Sequence, residues 1–164
     1  MKKIFCLALS LFSIVVAFSQ TITNYDQIKL DKADDYKMAD TFALQAANFL
    51  LLNPIDNAEN DRLKSSQFLL KWMTGTPDYR FTFGESTKIL NDDIDLMGVY
   101  LASTVKFCLD NKSLSKDQDK IKIGTWKILL SYCDDPKNNV KLTKKLKKLI
   151  EANKNKNGEL EKNI

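Results

Sequence analysis

The chain contains no histidine. That removes the commonest general base and metal ligand, and with it any Ser-His-Asp arrangement. Cysteine is scarce, with only Cys6, Cys108 and Cys133 among 164 residues, so a zinc site would have to combine two distant thiols with carboxylates. The five glycines contain no glycine-rich phosphate loop. The three prolines, Pro54, Pro77 and Pro136, all fall between segments of helical periodicity and interrupt none of them. Long apolar runs are absent but for Ile4 to Phe18, which at fifteen residues is shorter than the ~20 needed to span a bilayer.

That run follows Met1-Lys2-Lys3 and ends in Ala17-Phe18-Ser19, the pattern of a secretory signal peptide over 1–19 with cleavage before Gln20. Cys6 lies inside the run and not at its end, so attachment of lipid through a cysteine is not indicated. The expectation is an exported protein, periplasmic or secreted. Its remaining 145 residues (164 less 19) are enough for one domain with a core. Charge is uneven: Thr21 to Tyr100 carries 8 basic and 13 acidic residues, and Leu101 to Ile164 carries 15 basic and 8 acidic. Either the halves complement each other or the C-terminal half meets an anionic partner.

Three-four spacing predicts five helices and no sheet, an all-α protein. Met38, Phe42, Ala46, Phe49 and Leu50 mark a helix over 34–52, and Leu63, Leu70 and Met73 one over 57–74. Ile94, Met97, Leu101, Val105 and Cys108 mark 93–111; Ile121, Ile128, Leu129 and Tyr132 mark 116–133; Leu142, Leu146, Leu149 and Ile150 mark 137–152. Asp56 with Glu59 and Ser115 with Gln118 read as capping boxes, and Asp135-Pro136 as a cap before proline at the first helical position. An extended segment over 20–33 precedes a single helical domain over 34–152. The Asn- and Lys-rich stretch 153–164 reads as a flexible tail.

A shift of 59 residues superposes Asp56 on Ser115, Glu59 on Gln118, Pro77 on Pro136, Met38 on Met97 and Leu70 on Leu129. This predicts a degenerate repeat, two helical hairpins stacked on each other and closed by the last helix. Gly124, Ile128, Ser131 and Pro136 are similar in spacing to the second helix of a tetratricopeptide hairpin, although the loop of the first pair is too long for that family. If 93–111 and 116–133 are antiparallel neighbours, Cys108 and Cys133 lie roughly 25 Å apart, too far for a disulfide. Two free, buried thiols follow.

The stretch KWMTGTPDYRF, Lys71 to Phe81, stops a helix at Gly75 and Pro77 and then alternates through Arg80-Phe81-Thr82-Phe83. Phe81 and Phe83 either fold back as a plug over the first hairpin, or Trp72, Tyr79 and Arg80 form a partner-binding patch of the aromatic and arginine type common at interfaces. With the export signal and the lysine-rich last helix, this stretch resembles an uncharacterised family of small secreted helical proteins from Bacteroidetes. The resemblance spans most of the mature chain and implies no activity or site.

The remaining chemistry is acidic or basic. Asn91-Asp92-Asp93-Ile94-Asp95 resembles a calcium loop, but Leu96 and Ala102 stand where an EF-hand needs Gly and Glu, so these acids read as a helix N-terminus. Asp34-Asp35 and Asp134-Asp135 read the same way. Lys141, Lys144, Lys145, Lys147 and Lys148 oppose an apolar face, as in a surface helix with lysines near its C-terminal end or in a helix that meets anionic lipid or polysaccharide. Nucleic acid is not expected, because no aromatics interleave with the lysines. The reading is a binding or structural module without cofactor or metal and not an enzyme, with a macromolecular partner, protein first. The alternative is an envelope-associated protein acting through the lysine face, and a carboxylate-dependent hydrolase is the third possibility.

Overall fold

A computed structural model describes residues 23–90, 93–155 and 158–164; the expected signal peptide lies outside them. The elements are α1 (Ala33–Met38), α2 (Asp40–Leu52), α3 (Glu59–Gly75), α4 (Ile94–Asp110), α5 (Gln118–Asp134), α6 (Lys144–Asn155) and α7 (Glu159–Asn163), with single 3-10 segments between several of them. Among the described residues there is no strand, and the five long helices α2 to α6 make the protein all-α.

Helix α4 lies at the centre, packed against α2, α3 and α5, while α6 packs on α5 and α7 on α6. Its sequence explains that position: Leu96, Val99, Leu101, Ala102, Val105 and Cys108 are buried around most of its circumference. One side of α4 closes a core with Ala43, Ala46, Ala47 and Leu50 of α2 and Leu69 and Trp72 of α3. The other side meets Trp126, Leu129 and Leu130 of α5, with Leu146 and Leu149 of α6 and Leu160 of α7 beyond. Two glycines set the approach distances, because a Cβ on Gly98 would collide with Ser66 of α3 and one on Gly124 with the ring of Phe107. The hairpins α2–α3 and α4–α5 are therefore stacked, and α3 and α5, each 17 residues long, start and end 59 residues apart.

The boundaries differ from expectation at several places, each for a local reason. The first helix breaks at Ala39, which turns into the core and leaves Met38 exposed. In α3 the buried stripe is Arg62, Ser65, Leu69 and Trp72, while Leu63 and Leu70, at 47% and 46% exposure, face solvent. No capping box forms at Asp56: Ala58, in left-handed conformation, precedes α3, and the Asp56 carboxylate accepts from Asn139 Nδ2 at 3.1 and 3.0 Å. At α5 the cap is Asp117, which accepts from the Lys120 amide, not Ser115. The last helix begins seven residues late. Asp135 caps a single turn over Pro136–Asn138, Asn139 then enters the left-handed region at φ 53°, and Thr143 caps α6 through the Leu146 amide.

The described part of the N-terminal segment packs on the core, and the described part of the expected flexible tail is largely helical. Before α1, Tyr25 stacks on Phe68 at 4.5 Å and Leu30 is buried. At the other end α6 runs to Asn155 and α7 returns Leu160 to the core, where Lys122 Nζ donates to the Ile164 carbonyl at 2.8 Å.

One charged side chain sits inside this frame. Arg62 is 1% exposed, and its Nη1 donates to the carbonyls of Leu50 (3.2 Å), Asn53 (3.0 Å) and Pro54 (3.4 Å), the carbonyl end of α2. Asp95 of α4 lies 3.8 Å from Nε, and Tyr132 of α5 donates to the same Asn53 carbonyl at 2.7 Å. Removing a group so placed strands buried acceptors. Arg62→Ala is expected to lower the unfolding free energy in urea by about 3–5 kcal/mol. Asp95→Asn, whose carboxylate is half exposed, is expected to cost less than about 1 kcal/mol. Equal losses from both would show that the ion pair, not the carbonyls, holds the guanidinium.

Candidate binding surface

The aromatic half of the expected binding patch belongs to the core. Trp72 is fully buried and its Nε1 donates to the Tyr36 carbonyl at 3.1 Å. Tyr79 is also buried, with ring centroids 5.5 Å from Trp72 and 6.1 Å from the half-buried Phe81. Burial, with smaller contributions from the carboxylates of Asp40 and Asp78, pushes the Tyr79 phenol up to about 12. Arg80 alone of the three is exposed. Trp72, Tyr79 and Arg80 therefore do not share a surface. The plug over the first hairpin is Tyr79 with Phe81, while Phe83 is 51% exposed, its ring centroid 6.2 Å from that of Tyr100. Gln118, the first residue of α5, pins the segment by donating to the Arg80 carbonyl (3.1 Å) and accepting from the Thr82 hydroxyl (3.0 Å).

The lysine half is on the surface. Lys141, Lys144, Lys145, Lys147 and Lys148 are all exposed, because Leu146, Leu149 and Ile150 turn the opposite side of α6 into the core. Among the described residues none of the five forms an ion pair, although neighbouring lysines do: Lys154 with Asp134 at 2.7 Å and Lys127 with Glu161 at 3.7 Å. The late start of α6 changes their electrostatics. Lys144 and Lys145 occupy its first two positions, no acid lies in the first turn, and Lys141 precedes the helix altogether. These charges sit at the positive end of the helix dipole, where they are unfavourable, and not near the C-terminal end where lysine is stabilising. The apolar side of α6 is already committed to α5, so this helix offers a partner charge without an insertable face.

The acids are largely engaged in building the fold. Asp93 caps α4 through the Leu96 amide at 2.9 Å, Asp35 accepts from the amides of Asp31 and Lys32, and Asp135 caps the turn at Pro136. Asn91 and Asp92 lie outside the described residues, within which no cluster of three or more potential metal ligands occurs. Cys108 and Cys133 are free and buried in different cores, and burial pushes each thiol up to about 12. Neither supplies a thiolate nucleophile near neutral pH. Among the described residues no helix is long and apolar enough to cross a membrane.

Sequence reasoning found the lysines, but missed Arg62 and the part played by Gln118. Arg62 carried a usable signal, since it falls in one three-four register with Ser65, Leu69 and Trp72. Gln118 carried none, because its partners lie 36 and 38 residues away. No family model matches the chain, and neither does any curated protein or solved structure.

Tyr79→Ala is expected to destabilise by about 3–5 kcal/mol, the usual cost of truncating a buried aromatic, whereas Phe83→Ala should stay within about 1 kcal/mol. Comparable melting losses in the two variants would show that the segment packs as one unit. For the chain lacking residues 1–19, thiol titration should find no fast-reacting group in the native protein and two per chain after denaturation without reductant. A native thiol reacting at the rate of a free peptide thiol would contradict the burial of both.

Proposed function

We propose that the protein is an exported binding module that contacts an anionic envelope surface through the lysine face of α6. One observation carries this reading: Lys141, Lys144, Lys145, Lys147 and Lys148 stand together, exposed, and without an acidic partner among the described residues. Lysine at the N-terminal end of a helix opposes its dipole, and an anion at the same place relieves that repulsion. The protein-partner reading loses its anchors with Trp72 and Tyr79 in the core, since interface hot spots rest on accessible aromatics. Contact with the envelope is peripheral. It resembles the polybasic attraction of a surface, worth about 1 kcal/mol for each lysine near it, and not the insertion of an amphipathic helix.

Co-sedimentation of the chain lacking residues 1–19 with vesicles tests this. Binding to phosphatidylglycerol-containing vesicles is expected at low salt, with none to phosphatidylcholine alone. Replacing Lys144, Lys145, Lys147 and Lys148 by Gln should weaken it roughly a thousandfold, if four contributions of ~1 kcal/mol add. Raising the salt should reverse binding, because exposed charges are screened beyond about 8–10 Å near physiological ionic strength. Binding indifferent to salt and to the four substitutions would reject the lysine face. Capture of an acidic protein from the envelope by the same lysines, with vesicles left unbound, would return the partner to the protein class.

A further inference from the structure

A cleft of about 160 Å³ lies where the segment Phe81–Ser86 crosses α4 and the start of α5. Phe83 lines it while staying 51% exposed, and Tyr100, Phe81 and Ile121 supply further apolar wall. Gln118 pins the segment at Arg80 and Thr82, and Tyr100 is backed by Trp126, with ring centroids 5.9 Å apart. Polar groups are also present. Asp119 and Ser86 line the cleft, and among the described residues neither side chain has a hydrogen-bond or ion-pair partner.

We propose that this cleft binds one pyranose ring of a neutral saccharide, with a C–H face of the sugar on Phe83 and its hydroxyls on Asp119 and Ser86. The volume is below the roughly 300 Å³ at which pockets for drug-sized ligands begin. A purely apolar ligand would use the Phe83 ring and leave Asp119 and Ser86, which also line the cleft, unengaged. A cation would meet Lys122, which also lines the cleft and whose Nζ is held at 2.8 Å by the Ile164 carbonyl. An anion would meet Asp119. A polyol with one apolar face satisfies the ring and the carboxylate together, because an aromatic face accepts C–H groups while the carboxylate accepts from two hydroxyls. The site is independent of the lysine face and involves none of its residues.

The ¹⁵N-labelled chain lacking residues 1–19 is titrated with methyl glycosides of glucose, galactose and mannose, with amide shifts as the readout. At least one should saturate with a dissociation constant on the order of 1 mM, as suits a ligand of so few atoms. The shifts should centre on residues 81–86 and 118–122. Phe83→Ala and Asp119→Asn, both at exposed positions and expected to keep the native spectrum, should each weaken binding about tenfold. No shift with any of the three glycosides, shifts scattered over the surface, or affinity unchanged in both variants would overturn the site. Tighter binding of benzyltrimethylammonium than of any glycoside would overturn the saccharide assignment.

Discussion

The joint between α2 and α3 depends on a guanidinium taken out of water. Helix α2 ends without a glycine cap, and its last carbonyls point into the molecule. Arg62, reaching across from α3, answers the carbonyls of Leu50, Asn53 and Pro54, and Tyr132 of α5 shares the acceptor at Asn53. Asp95 of α4 supplies the counter-charge at 3.8 Å. Four helices therefore converge on one ion whose desolvation costs several kcal/mol unless every partner stays in place. Nε and Nη2 lack hydrogen bonds, so the three carbonyls taken up by Nη1 are what ties α3 to the end of α2. The carbonyls, not the partly exposed carboxylate, are the partners that a change of register would remove.

With that junction fixed, the rest is apolar packing. Alanines on α2, Gly98 on α4 and Gly124 on α5 let neighbouring helices approach closely. The crossing segment after Pro77 is then placed by its own side chains: Tyr79 against Trp72 in the first core, Phe81 half buried, and Phe83 at the surface over Tyr100. Burial falls steadily along those three alternate residues as the chain climbs out of one core toward the other. This is why period-two alternation suggested a common fate for Phe81 and Phe83 that they do not share. The second core in turn fixes α6, so the direction in which its lysines face follows from Leu146 and Leu149 packing with Leu129 and Leu130.

What the sequence made legible follows from the range of the interactions involved. Helix existence rests on neighbours three and four residues apart, and all five long helices were readable. Thr143 and Asn139 act just as locally, yet they were overlooked because Asp135-Pro136 offered a stronger start signal, which governs only one turn. The phase of α3 was misread because Leu63 and Leu70 are more apolar than Arg62 and Ser65. Only the carbonyl end of α2 makes an arginine the better buried residue. Of the candidate surface, the lysines were legible since their exposure follows from the apolar side of their own helix. The burial of Trp72 and Tyr79 and the cleft beside Phe83 were not, because they join segments far apart in the chain.

The acidic and basic halves of the chain seldom meet as ion pairs. If the acidic first half existed to neutralise the basic second half, ion pairs should cross between them. Among the described residues Lys112 with Asp40, at 3.4 Å, is the one that does, and Asn139 with Asp56 adds a neutral donor to an acid. Lys106 with Asp110, Lys127 with Glu161 and Lys154 with Asp134 are pairs within the basic half itself. The C-terminal excess is thus not neutralised by pairing between the halves and is concentrated at the start of one helix. Asp56 of the first half lies against Asn139, two residues before Lys141, without forming an ion pair with the patch. The interior explains the burial of Arg62 and the aromatics, whereas the apolar side of α6 explains only that its lysines face outward, not that there are five of them.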